Sequence, residues 1–247
     1  MASRLSACYK NIRWVPLTLF VCLFILLLRL GFWQLSRANE KESFLVTQQK
    51  QMLQKPVLLT DLLLSAEARR YRPVIFNGGY DIKHQLLVDN QVHGGKLGAF
   101  VLTPFILENN EGVVLVNRGW VAMDKSRQRL PELGFKMASS IIEVSGIVNE
   151  FPSVGLVLQG ADEPSEGWPS MVQIINIEKL KPKLGYSVLP FQVQLHAEQA
   201  NGYLRDWKIN TRMPPEKHRA YAFQWFALAT TLFFLTFWIS CKTHKND

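Results

Sequence analysis

Val15–Leu35, VPLTLFVCLFILLLRLGFWQL, and Tyr221–Cys241, YAFQWFALATTLFFLTFWISC, decide the architecture of this chain. An α-helix rises about 1.5 Å per residue and a hydrocarbon core is roughly 30 Å thick, so either stretch can cross a bilayer as a helix. Between them lie about 185 residues of polar, strand-like sequence without a cysteine. The layout predicts an α+β membrane protein: two transmembrane helices flanking an exported antiparallel β-rich domain, barrel-like or sandwich-like. Residues 1–13 read as a cytoplasmic tail, 14–35 as transmembrane helix 1 and 36–219 as the exported β-rich domain with an N-terminal helical extension. Residues 220–241 read as transmembrane helix 2 and 242–247 as a second cytoplasmic tail.

The formal charge of +8 suggests nucleic acid until its distribution is examined. Arg4, Lys10 and Arg13 stand in the first tail with no acid, and only +3 remains between Arg37 and Arg219. Such tails are membrane-surface anchors, so no nucleic-acid partner is expected and the lipid bilayer is. Two spans put both termini on one side. The acid-free basic tail makes that side the cytoplasm and the central domain periplasmic. Lys208, Arg212, Lys217 and Arg219 crowd the opposite end of the second span, but they belong to a long exported loop where the charge rule has little force.

A cleaved signal peptide is the other reading of the first span. Against it, the apolar run continues through LGFWQL, and the small residues Ser36 and Ala38 are interrupted by Arg37. No Arg- and Ser-rich transit peptide precedes the span, which points to a bacterial plasma (inner) membrane rather than an organelle. The cysteines are Cys8, Cys22 and Cys241, all in tails or spans. The exported domain therefore has no disulfide and no thiolate metal site, and its stability comes from packing.

After Arg37 the helical pattern continues through Phe44, Leu45, Gln48 and Met52, and Pro56 should end it. From Tyr71 the period shortens to two. RPVIFNGGYDI, QLLVDNQV, AFVLTPFIL, GVVLVNRGWVA, IIEVSGIVN, MVQIINI and FQVQLHAE read as strands separated by Gly, Asn, Asp and Pro. Phe100–Leu107 and Val113–Val121 read as a hairpin turned by Glu108–Gly112. Residues 122–139 and 151–170 form long connections, and Glu178–Leu184 reads as a short helix.

The densest chemistry lies where the chain re-enters the membrane, EKHRAYAFQWF. On a helix His218, Tyr221, Ala222 and Trp225 share a face, which gathers imidazole, phenol and indole near the outer interface. Such a His can ligate haem iron, the rings can stack on a macrocycle, and Lys217 or Arg219 can meet propionates. An aromatic belt with a solvated His is the plainer reading of the same spacing. At the exit of the first span, Trp33, Gln34, Arg37 and Lys41 lie one to two turns apart, as a shared pocket or as interfacial anchors; Gly31 and Ala222 would let the helices approach. Arg29, deeper in the span, reads as a snorkelling side chain or one seeking a carbonyl. NRGWV, Asn117–Val121, reads as a cation–π contact or polar plug of structural use. His84, His93 and His196 read as surface or strand-end residues. No Ser-centred elbow, phosphate loop or zinc motif appears, so an enzyme is not expected.

LGFWQLSRANEK, YRPVIFNGGYD, LVDNQVHGGKLGAFVLTPF, VLVNRGWV and HRAYAFQWF occur in this order on the two-span layout. In these motifs the chain resembles the Surfeit-locus-one family, the Shy-type assembly factors of haem–copper cytochrome c oxidase, almost end to end. The resemblance implies a non-catalytic assembly factor that binds haem a and aids its insertion into oxidase subunit I, with haem a synthase as a further partner. It implies His218 as ligand to the haem iron, with Tyr221 and Trp225 beside it. Trp33 and Arg37 are carried as candidate cofactor-binding residues. Relatives often have Asn before that His, where this chain has Glu216-Lys217. A scaffold that holds subunit I or the haem synthase without touching haem is the competing function.

Overall fold

The structure, a computed structural model, describes residues 14–64, 70–108, 112–124, 130–134, 141–152, 159–207 and 213–243. It divides into two compact units. Among the described residues, one comprises 14–47 and 213–243, and the other lies within 48–207. The boundary expected at residue 36 falls inside a single helix, α1 (Trp14–Met52). Its 39 residues extend about 58 Å, well beyond one bilayer thickness. The helix stops short of Pro56, whose missing N–H cannot continue it.

The strands of the second unit are β1 (Val57–Leu58), β2 (Pro73–Tyr80), β3 (Leu86–His93), β4 (Lys96–Leu107), β5 (Val113–Ala122), β6 (Ile142–Asn149), β7 (Ser170–Val172) and β8 (Gln192–Leu195). Two short helices accompany them, α2 (Leu59–Leu64) and α3 (Ile177–Leu184). The strands form one sheet in the order β1-β2-β6-β8-β5-β4-β3-β7. An additional pairing, Gly78 with Leu107 through Tyr80 with Phe105, joins β2 to β4. That pairing closes β2, β6, β8, β5 and β4 into a ring, so the β domain is a barrel rather than a sandwich. Strand β3 borders the other half of β4, and β7 lies outside it.

Most neighbours are antiparallel, as the alternating sequence suggests. Three pairs are parallel: β1 with β2, β3 with β7 and β5 with β8. Each joins strands separated by a long connection, and a parallel pair needs that length. The expected hairpin is β4–β5, paired from Gly98 with Ala122 to Ile106 with Val113, with a shift of register between Phe100 and Leu102. Residues 109–111 of its turn lie outside the described residues, as do parts of both long connections.

Strand β5 explains why its sequence is an apolar run. Val114 and Val116 face the barrel interior with Phe76, Phe105, Val144 and Val193. Val113 and Leu115 face outward, under Leu180 and Leu184 of α3. A strand covered on both sides carries apolar residues at every position. Helix α3 is seated by its caps: the Asn176 side chain accepts from Glu178 N at 3.2 Å, and Gly185 closes it at φ 81°.

The NRGWV stretch is built into this core. Arg118 is fully buried, donating from Nε to Asn201 O at 2.7 Å, from Nη1 to Gln85 Oε1 at 2.9 Å and from Nη2 to Gly134 O at 3.0 Å. Its guanidinium carbon lies 4.9 Å from the Tyr203 ring centroid and 5.9 Å from that of Tyr80. Burial lowers its pKa, while the tyrosines oppose that shift. Next to it, Gly119 adopts φ 116°, and a Cβ there would meet Leu204 O at 2.7 Å.

Gly119→Ala is accordingly expected to destabilise the β domain by at least about 1 kcal/mol, and chemical denaturation followed by circular dichroism measures it. An unchanged midpoint would mean that the Gly119 backbone relaxes without cost.

Candidate functional site

Helix α4 (Pro215–Thr243) pairs with α1 in the first unit. On α1, Leu27, Gly31, Gln34, Ala38, Lys41 and Leu45 recur at alternating spacings of four and three, each buried or half-buried. On α4, His218, Ala222, Trp225, Ala229, Leu232 and Thr236 do the same. A repeat averaging 3.5 residues is the seam of two helices wrapped on each other. Contacts between Phe24 and Phe233, Phe32 and Phe226, and Gln34 and His218 run in opposite chain directions, so the pair is antiparallel.

Small residues set the approach. A Cβ on Gly31 would lie 2.6 Å from Phe226 Cε1, and Ala38, Ala222 and Ala229 are almost fully buried. Small side chains of this kind let membrane helices pack closely. Outside the apolar stretch, Arg219 Nη2 meets Glu42 Oε2 at 2.6 Å, an exposed ion pair that fixes register more than it adds stability.

His218 sits in the seam, 7% exposed. Its Nδ1–H donates to Gln34 Oε1 at 2.7 Å, the arrangement that leaves a lone pair on Nε2. Nε2 makes no hydrogen bond with a described residue. Trp225 is half-buried on the same seam, whereas Tyr221 is 43% exposed on its flank. The shared face of α4 is thus His218, Ala222 and Trp225, with Tyr221 about 60° away by helix geometry.

Trp33 and Arg37 point away from the seam. Trp33 is 49% exposed, and Arg37 lies 5.7 Å from its ring centroid while pairing with Glu40 at 2.7 Å. Gln34, between them in sequence, is the residue that reaches His218. The signal for it was present in the sequence as Gly31-x-x-Gln34-x-x-x-Ala38, a small–polar–small heptad stripe matched by His218-x-x-x-Ala222.

A second polar cluster lies in the β domain, after β2. Asp81 Oδ2 accepts from His84 Nδ1 at 2.6 Å and from the Tyr186 hydroxyl at 2.8 Å. Trp168 lies 4.8 Å from the His84 ring, and Lys183 stands 5.0 Å over Trp168. Burial works to raise the Asp81 carboxyl, but the hydrogen bonds from His84 and Tyr186 outweigh it and hold the group below the usual carboxylate range. The cluster ties the β2–β3 turn to the segment after α3. Among these contacts there is no Ser, Thr or Cys side chain to act as a nucleophile. An open depression of about 810 Å³ lies elsewhere, beside Gln159, Asp162 and Asn176, but Asp162 is spent on Asn176 and Lys179 at 2.8 Å each.

A model of the SURF1 family matches residues 21–230. The chain is 29% identical over 98 residues to the cytochrome oxidase assembly protein SHY1 of Saccharomyces cerevisiae, covering 39% of this chain and 25% of that protein. It is 28% identical over 137 residues to the SURF1-like protein of Drosophila melanogaster, covering 49% of this chain and 45% of the relative. With the SURF1-like protein of Rickettsia bellii it shares 24% identity over 214 residues, 85% of this chain and 84% of the relative. The chain thus spans less than half of the yeast and fly proteins and most of the rickettsial one.

Two expectations follow from the geometry. Gly31→Ala should cost about 1–3 kcal/mol by overpacking against Phe226, read as a lowered unfolding midpoint in detergent, and Phe226→Leu in that background should recover part of it. Asp81 has a depressed folded-state pKa, so its stabilisation is present above the ordinary carboxylate pKa near 4 and is lost as pH falls through the folded value. Asp81→Asn should flatten the loss of β-domain stability below about pH 4 while lowering stability at pH 7, as pH-dependent denaturation would record.

Proposed function

The chain belongs to the SURF1 family, and from that premise we propose that it is a membrane-anchored assembly factor for a haem–copper cytochrome c oxidase. The family match and the yeast relative, a cytochrome oxidase assembly protein, support the oxidase. The anchor is supported by α1 and α4, both long and apolar enough to cross a membrane and each only 11% buried along its most apolar part, unlike the core helix of a globular protein. Trp14 and Trp33 bracket about 28 Å of α1, the spacing of two interfacial belts. Both termini lie in the cytoplasm of a bacterial inner membrane on this reading, with the barrel in the periplasm.

We further propose that the protein binds haem a through His218 and hands it to oxidase subunit I, in contact with haem a synthase. One observation carries this: the imidazole is held at Nδ1 by Gln34, while Nε2 makes no hydrogen bond with a described residue. His218 would hold haem iron with Gln34 behind it, since a partner on the second nitrogen fixes the ring and raises its basicity. The donor set therefore fits haem iron, which would supply the redox-active centre of the oxidase and no chemistry in this chain. Trp225 and Tyr221 offer ring faces beside His218, and Lys217 is an exposed cation for a propionate. Trp33 and Arg37, turned from the seam, serve as anchors at the interface. No turnover is proposed, since no nucleophile and base converge at the seam.

A scaffold without haem is the second reading, favoured by the burial of His218 in the helix seam, where the Gln34 bond alone gives the side chain a use. Purification after co-expression with haem a synthesis separates the two. His218→Ala is expected to lose the haem absorption band by at least tenfold, while Gln34→Leu retains a band that is weakened or shifted. Protein that purifies colourless as wild type yet still co-precipitates subunit I after His218→Ala establishes the scaffold.

A further inference from the structure

Arg29 is the one charged residue between Arg13 and Arg37. The seam runs through Leu27, Gly31, Gln34 and Ala38, and at 100° per residue Arg29 projects from nearly the opposite side of α1. It is exposed, and it makes no hydrogen bond or ion pair with any described residue. Its neighbours on that outward face are apolar: Ile25 is 58% exposed, Phe32 63%, and Cys22 is exposed as well. On the reading that α1 crosses the bilayer, a guanidinium faces hydrocarbon about 6 Å inside the level of Trp33.

Snorkelling is opposed by the helix itself. Every Cα–Cβ bond tilts toward the helix N-terminus. From Arg29 that direction leads back toward Val15 and the bilayer centre, away from the interface marked by Trp33. A buried guanidinium is satisfied best by a carboxylate, whose two oxygens match its fork. Val15–Leu35 and Tyr221–Cys241 contain no Asp or Glu, so neither this chain nor a second copy supplies one within the membrane.

We infer that the outward face of α1 around Arg29 docks a transmembrane helix of a different protein, one that carries an Asp or Glu at matching depth. The inference rests on the membrane reading of α1. The apolar residues around Arg29 supply the packing surface, and the guanidinium selects a partner by charge. Ordinary apolar spans lack the carboxylate and leave the charge unpaired, so they are disfavoured.

The test uses the full chain in native membranes, with a photo-crosslinking amino acid at Ile25 or Phe32. The expected result is an adduct with a different protein, mapped to a span containing Asp or Glu. Arg29→Leu should cut the adduct at least tenfold and Arg29→Lys less; Leu favours insertion, so that loss is not a failure to enter the membrane. Exchanging the charges, Arg29→Glu with the partner's acid changed to Arg, should restore it. An adduct to lipid only, an adduct between two copies, a mapped span without a carboxylate, or a yield indifferent to Arg29→Leu overturns the docking. Alkaline extraction and the accessibility of Cys22 to a membrane-impermeant thiol reagent test the membrane reading separately. Release of the chain, or labelling of Cys22, overturns that reading and the docking with it.

Discussion

Phe226 fills the space in front of Gly31, and that contact sets how near α1 and α4 approach. With no Cβ on Gly31 the ring edge lies against the backbone of α1, and the short side chains of Ala38, Ala222 and Ala229 keep the rest of the seam narrow. Only at that separation does a glutamine on one helix reach an imidazole on the other at 2.7 Å. The candidate ligand thus depends on a glycine one turn away. In the membrane, where apolar surface gains nothing by pairing with apolar surface, close packing and an interhelical hydrogen bond are what remain to hold two helices together.

The β domain is governed by a different constraint. It has no cysteine, so cohesion comes from a barrel interior filled by Phe76, Phe105, Val114, Val116 and Val193. Arg118 is accommodated there because carbonyls, an amide and two tyrosine rings surround it. Gly119 then gives the chain the backbone conformation that lets Leu204 and Trp120 meet.

How much of this is written locally in the sequence varies with the range of the interaction. The apolar segments, the alternating strands and the short helix over 178–184 depend on neighbours in the chain, and periodicity reveals them. Strand β1 has two residues and carries no period at all. Barrel closure pairs Gly78–Tyr80 with Phe105–Leu107, a relation between segments that each look complete alone. At the helix seam, grouping His218 with Tyr221 and Trp225 follows the i, i+3, i+7 rule but takes its centre from the aromatic residues. The small residues mark the centre of the contact, and of Trp33, Gln34, Arg37 and Lys41, which the spacing groups together, Gln34 is the one that meets His218 there. Asp81 and His84 were hidden for another reason: their third partner, Tyr186, comes from 105 residues along the chain.

The sheet ends on β1 and β7, strands of two and three residues. A sheet margin recruits foreign backbone through a row of unused amide and carbonyl groups, and a row this brief offers almost no template. The longest strands, β4 and β5, belong to the ring and have a neighbour on each side. Along β1 and β7, incompletely folded polypeptides therefore find little to pair with, a safeguard obtained from strand length.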